Sequence, residues 1–450
     1  MKLLLILFFS GALQAASFHE RLSKMGYHFS ALSTILKQHS KNPASSNDDR
    51  ALEKIVRKTG PDVLEDYRFQ TLSNFKAPVA KFAIARKHFS AGKMDEALIS
   101  AKLIPDDHWL YPEAQMLMAQ VYNERKDIRR ELAHYKECST EAAKRVSGDD
   151  EYHFQIVMEV CAANHARALF RHGHTKAALE EMNRFPKDSY LWPYLLFERA
   201  WLYFHQQNYN RSLGLLVTYK SPLLDTYYFP EAEYLSALNY FQLCLYQDSS
   251  LIINEYYKNY RPRYLALEKV LRENKNKKNF FFLLLFRKEK ELKGYEDFVR
   301  QMVTRMKKQS RFQSGFKQIK MLNKEISQIR KRENAKVQKI FLPHLRAIRS
   351  NLVAKMDYFA KKDIFLFLEK VKFFSNELFK MNLEIISRKK NMIYDNKKLI
   401  SSRSRGDYSN VNRETDEYFW TFEGAFWADE LGDYSFGLKS NCQLVERGKK

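Results

Sequence analysis

The sequence predicts an all-α protein: a right-handed α-solenoid of helix pairs, then long basic helices, then an aromatic C-terminal cap. Three observations carry this. A small residue recurs at a period near 34, helix breakers are scarce (14 Gly and 11 Pro in 450 residues), and no two-residue alternation of the β type recurs. A unit of this length that keeps one order of small, ring-bearing, turn, small and large positions reads as helix–turn–helix. Such pairs bury their apolar faces by stacking on neighbours.

Residues 1–16 carry Lys2, an apolar run from Leu3 to Phe9, and a small-residue exit at Ala12, Ala15 and Ala16. This pattern predicts a secretory signal peptide, too short to anchor in a bilayer, cleaved after Ala15 or Ala16. No Cys follows the cleavage point, so lipid attachment is not expected, and the product is expected in a bacterial periplasm. Residues 17–76 read as an N-terminal helical segment.

Residues 77–262 hold the repeats. Ala85, Ala119, Ala166, Ala200 and Ala237 are the recurring small positions. Three residues on come His88, Tyr122, Leu169, Tyr203 and Tyr240, and seven on the turn-like Gly92, Lys126, Gly173, Gln207 and Cys244. The second helix of each pair shows its inner face twelve and sixteen residues after the Ala, for example at Ser212 and Leu216. Pro105, Pro186, Pro222 and Pro262 close repeats, while Pro112 and Pro230 sit in the first turn of the next helix, where a missing N–H costs little. The pattern resembles the tetratricopeptide repeat family, whose signature runs Trp-x2-Leu-Gly-x2-Tyr, Ala-x3-Phe, Pro. The repeats depart from it: Ala replaces the family Gly, none opens with Trp, and Glu131 stands where a small residue is usual. The resemblance implies a concave groove that holds a peptide or helix of a protein partner, with Ala85, Ala119, Ala166, Ala200, Ala237, Tyr122, Tyr203 and Tyr240 as packing positions.

The net charge of +23 is concentrated. Residues 258–405 carry 40 Lys and Arg against 14 Asp and Glu, whereas the remainder carries 36 against 39. Between Gln318 and Ser404 the only Gly or Pro is Pro343, so the basic segment (263–405) is expected to form two long helices, one on each side of Pro343. At about 1.5 Å per residue the second approaches 90 Å and would stand out from the repeats. Leu345, Leu352, Phe359, Leu366 and Phe373 repeat every seven residues, one half of a coiled-coil seam, but Lys355, Lys362, Glu369 and Asn376 occupy the other half. A hairpin, in which Leu322, Ile326, Ile329, Val337 and Ile340 fold back on a later stripe, fits better than a strict coiled coil. The apolar run from Phe280 to Phe286 is too short to cross a membrane and reads as a buried connector or an interfacial element.

The tail (406–450) is dense in aromatics, among them Trp420, Phe422, Phe426, Trp427 and Tyr434, expected to cap the array or dock a partner through a helical face. The stretch Trp-x-Phe-x-Gly-x-x-Trp-x-Asp-Glu-Leu-Gly-x-Tyr resembles the C-terminal segment of periplasmic repeat proteins of gliding and predatory bacteria, including those of the adventurous gliding machinery. That implies a non-catalytic part of a cell-envelope assembly.

Phosphate-loop, dinucleotide, zinc-protease and nucleophile-elbow motifs are all lacking, so no enzyme, cofactor or metal is expected. His172 and His174 flank the Gly of one repeat turn and His165 is expected at a buried helix position, without acidic or Cys partners at metal-ligand spacing. Cys138 and Cys161 sit at similar distances from the turn at 147–150. They either pair, as an oxidising compartment permits, or pack as two small buried residues. Two partner classes follow: envelope protein in the repeat groove, and anionic lipid, lipopolysaccharide or cell-wall polymer on the basic segment. Export argues against nucleic acid.

Overall fold

The computed structural model describes residues 17–224, 227–394, 419–422 and 424–442. The expected signal peptide (1–16), residues 395–418 with Tyr418, and 443–450 lie outside the described residues. Among the described residues the fold is all-α apart from one two-stranded parallel ribbon. In chain order the helices are α1 (Phe18–Lys24), α2 (His28–Gln38), α3 (Ser46–Thr59), α4 (Phe69–Ser73), α5 (Pro78–Ser90), α6 (Met94–Ala101), α7 (Tyr111–Glu124), α8 (Ile128–Ala143), α9 (Glu151–Arg171), α10 (Thr175–Asn183), α11 (Trp192–His205), α12 (Tyr209–Val217), α13 (Pro230–Gln242), α14 (Tyr246–Asn274), α15 (Phe280–Phe286), α16 (Asp297–Lys308), α17 (Ser310–Arg332) and α18 (Ala335–Tyr394). The strands are β1 (Trp420–Thr421) and β2 (Tyr434–Ser435). Two compact units result, one drawn from residues 1–145 and 316–351, the other from 146–315 and 352–450.

Five helix pairs share one construction: α5/α6 and α7/α8 in the first unit, α9/α10, α11/α12 and α13/α14 in the second. Ala85, Ala119, Ala166, Ala200 and Ala237 are each fully buried on the first helix of a pair. Seven residues later Gly92, Lys126, Gly173, Gln207 and Cys244 all take positive φ, between 57° and 83°. The next N–H then reaches back to the carbonyl three residues after the Ala: Lys93 to His88, Asp127 to Tyr122, His174 to Leu169, Asn208 to Tyr203 and Leu245 to Tyr240, each at 2.9 or 3.0 Å. This left-handed C-cap satisfies carbonyls that the helix end would orphan and turns the chain onto the second helix. Non-glycine residues in that conformation cost roughly 1–2 kcal/mol, which three of the corners bear. Twelve residues after each Ala, the inner position of the second helix is also sealed: Ala97, Glu131, Ala178, Ser212 and Ser249 are all fully buried.

In the first unit, residues 316–351 cover the N-terminal helices. The Glu325 carboxylate accepts from the Phe29 N–H (3.0 Å), the Ser30 N–H (2.8 Å) and the Ser30 hydroxyl (2.6 Å), capping the first turn of α2. Tyr27 donates to Glu333 (3.0 Å), the Gln318 amide to the Thr59 carbonyl (3.2 Å), and Phe18 stacks on Phe341. In the second unit, residues 352–394 lie on α13 to α16. Tyr256 and Tyr257 donate to the Val371 and Ser375 carbonyls at 2.7 and 2.8 Å, Asp357 accepts from the Phe282 N–H at 2.9 Å, and the rings of Phe298 and Tyr234 meet those of Phe367 and Phe374.

Several expectations are corrected. Pro343 does not divide two helices: it lies inside the 60-residue α18. The break falls at Glu333 and Asn334, because the Asn334 side chain accepts from the Val337 N–H (3.0 Å) and the Gln338 amide covers the Arg330 and Glu333 carbonyls. Pro262 closes no repeat; it sits inside the 29-residue α14. Residues 352–394 do not project as a free rod, since α14 and α15 bond to them within the unit. Leu322 and Ile329 are buried as expected of a packed stripe, but Ile340 is exposed. The heptad row makes no seam: Leu345 is buried, Leu352 and Phe359 half-buried, Leu366 and Phe373 exposed. On a straight helix a seven-residue repeat drifts about 20° per heptad, so the row walks out of the packed face. Val353, Met356, Ala360, Ile364, Phe367 and Val371, three and four residues apart, form the face that is buried instead. Within α15, Phe281, Phe282, Leu284 and Leu285 are buried while Leu283 and Phe286 are exposed.

Candidate interaction surfaces

The recurring Ala and Tyr positions are packing positions and present no surface: Tyr122, Tyr203 and Tyr240 are buried beside them. The surface of the second unit's first helices comes from neighbours of those positions. Asn164 and Glu198 hold equivalent places 34 residues apart, as do Arg167 and Trp201. Arg167 and Trp201 each reach a carboxylate on the next first helix. The Arg167 guanidinium donates to Asn164 (2.9 Å) and, through two nitrogens, to Glu198 (2.8–3.1 Å), and the Trp201 indole N–H donates to Glu231 (3.1 Å). Burial raises the Glu231 carboxyl above its usual range, with Lys370 of α18 and the indole opposing. A planar fork, an indole and half-buried carboxylates give this surface both donors and acceptors.

The tail is not a helical face. β1 pairs in parallel with β2, Trp420 opposite Tyr434, and the chain crosses α12 as an extended strap. An isolated glycine in a helix permits a close backbone approach: a Cβ on Gly214 would stand 1.9 Å from the Tyr434 carbonyl oxygen. The Asn210 side chain reads both main-chain groups of Leu438, donating to its carbonyl (3.1 Å) and accepting from its N–H (2.9 Å). Arg211 donates to the Asp433 and Tyr434 carbonyls (both 3.3 Å), and Thr218 accepts from the Gly432 N–H (3.2 Å). Phe422, Phe426, Leu431, Tyr434 and Phe436 pack on the core of α11 and α12, whereas Trp420 and Trp427 are exposed. Arg199 is buried beneath, its Nε without a hydrogen-bond partner. Burial lowers its pKa, with Tyr203 and Asp433 among the groups that favour its charge and Arg211 opposing it.

The strap is fastened where sequence reasoning saw only a turn. Cys244, at the fifth corner, is bonded to Cys442 with Cα atoms 5.1 Å apart across 198 residues. The signal for it was an even cysteine count. Asn210, Arg211 and Thr218 carried none, since Asn and Arg at a helix start are common; Gly214 was the one visible clue. Cys138 and Cys161 are buried, one in each unit, and no described cysteine is a free thiol.

Of the histidines, His165 contacts the Glu181 carboxylate (2.7 Å). Among the described residues no group of three or more His, Cys, Asp or Glu is arranged to hold a metal. In the basic segment an open depression of about 820 Å³ is lined by Lys288, Lys290, Lys293 and Arg300 together with Glu289 and Asp297. Arg300 is bound to Asp297. No described helix is long and apolar enough to cross a membrane. No protein-family model matches the chain, and no curated protein matches its sequence significantly.

Proposed function

We propose that this chain is a non-catalytic scaffold of the tetratricopeptide-repeat kind, exported to the periplasm, that holds a segment of an envelope protein on the first-helix surface of its second unit. The observation that carries the reading is a link made twice between neighbouring first helices, Arg167 to Glu198 and Trp201 to Glu231, from Arg167 and Trp201 at the same place in successive helix pairs. The Cys244–Cys442 bridge supports an oxidising compartment. A second bridge, Cys138 to Cys161, belongs to the same reading, as does a place in a motility-related assembly, which rests on the tail's resemblance alone. Crosslinking in intact envelopes followed by pulldown tests it. Discrete proteins recovered with the wild type are expected to fall at least tenfold with Arg167→Glu and Trp201→Ala together, at unchanged melting temperature. Undiminished recovery defeats the groove reading.

A second reading is favoured by the charge of residues 258–405 and by the lysine-lined depression: an anionic envelope surface, whether lipid, lipopolysaccharide or cell-wall polymer, attracted through this segment. Its mark is retention on anionic vesicles that is lost as salt rises.

A further inference from the structure

Helix α18 has two apolar faces, and only one is packed. Between Tyr358 and Tyr394 nine large apolar side chains are 46–76 % exposed, although the same stretch buries a complete second row against α13 to α16. On a 100° helical step, Tyr358, Phe365, Leu366, Phe373, Phe379 and Leu383 share the arc opposite the buried row, and they extend about 38 Å along the helix. A solvated face is ordinarily polar; this one breaks that rule over about seven turns.

The charges set among these residues say what the face meets. Lys362, Lys372 and Lys390 lie in the arc, and among the described residues no carboxylate pairs with them. Lys362 and Lys390 stand 5.9 and 5.6 Å over the rings of Tyr358 and Tyr394. Lys380 is bonded to Glu377, and Glu384, at the edge of the arc, is neutralised by Arg388. Glu369 remains as the one acid near the centre of the arc. Lysines with apolar stems laid beside rings suit an interface where the rings enter an apolar layer and the ammonium groups reach upward to anions. Two copies of this face would set lysine against lysine, which disfavours a symmetric dimer.

We propose that the solvent face of α18 from Tyr358 to Tyr394 is a membrane-surface site that lies in the headgroup layer of an anionic bilayer, with Phe365, Phe373 and Phe379 inserted and Lys362, Lys372 and Lys390 on lipid phosphates. The inference rests on the second reading above and adds to it a defined face and an apolar component that charge alone does not require. The bonds that hold the helix against α14 and α15 present this face without unfolding it.

The test uses the full chain and vesicles of phosphatidylglycerol mixed with phosphatidylcholine, against phosphatidylcholine alone. Flotation is expected with the anionic vesicles only. Phe365→Ser, Phe373→Ser and Phe379→Ser together replace exposed side chains, so melting is expected to stay put while flotation at 0.15 M salt falls by about tenfold or more. In a separate Phe373→Trp variant, brominated phosphatidylglycerol is expected to quench the added indole. If the triple serine variant floats like wild type while Lys362→Glu, Lys372→Glu and Lys390→Glu together abolish flotation, the attraction is charge only: this inference fails and the second reading stands. If wild type ignores anionic vesicles at low salt, both fail. Loss of a copurifying protein from the serine variant with vesicle binding intact also overturns the proposal, in favour of a protein-binding face.

Discussion

The helix-pair corners and the C-terminal third are both helical, yet they are held by interactions of very different reach. Each corner is closed by a bond between residues five apart, repeated five times with the same lengths. The later segments are closed by partners far away in sequence: Glu325 on Phe29 (separation 296), Asn210 on Leu438 (228) and Cys244 on Cys442 (198). A corner can form wherever its own dozen residues are present, whereas α18 and the strap need a finished surface to lie on. The pairs act as a template, and the C-terminal third is cast on it.

Breaking the longest of these links is expected to have the largest effect. Removing the bridge with Cys244→Ser and Cys442→Ser frees a loop of about 200 residues, worth up to about 5 kcal/mol by loop-closure entropy. Urea unfolding should show a large drop in midpoint with helical circular dichroism intact, and an unchanged midpoint would mean that the strap is held by its main-chain bonds alone. Next comes the template itself. Ala200→Trp overpacks a fully buried contact and is expected to cost about 3 kcal/mol, while Phe379→Trp on the open face of α18 should stay within about 0.5 kcal/mol. Equal melting of the two variants would erase the distinction between template and cast.

The smallest effect is one of pH. Burial raises the Glu325 carboxyl above its ordinary 4.5, outweighing the bonds from Ser30 and Phe29. A carboxyl raised on folding binds its proton more tightly folded than unfolded. Its contribution is therefore fullest below 4.5 and is lost as pH rises through the raised value. Relative to Glu325→Gln, the wild type should gain stability as pH falls from 7 toward 4.5. A difference between the two that stays flat across that window would break the link between burial and charge at this cap.

The same contrast explains what was readable from the residues. The corners show in the sequence because their signals recur: an Ala, a bulky residue three on, a turn seven on. Even Lys126, Gln207 and Cys244, poor turn residues taken singly, are located by register. Pro343 and Pro262 misled, since a proline weakens only one rung of a helix and packing on both sides overrides it. Asn334, the true helix start, is one polar residue among many. The heptad row of α18 is visible, but its drift relative to 3.6 residues per turn depends on whether the helix coils or stays straight, which the row alone does not say. The strap was legible only as aromatic density, because main-chain reading by Asn210 and Arg211 leaves no pattern in the segment being read.

The bridge also joins distant parts of the chain. Cys244 precedes Cys442 by 198 residues, and the apolar floor of α11 and α12, with Trp192, Leu196 and Leu215, is roofed by Leu431 and Tyr434 from the far end of the chain. A chain whose strap is not yet docked carries an unroofed apolar patch and an unmatched thiol, the form of this protein most prone to aggregate. Closing the bridge is an oxidation, and it ties the strap to the corner between the fifth pair of helices.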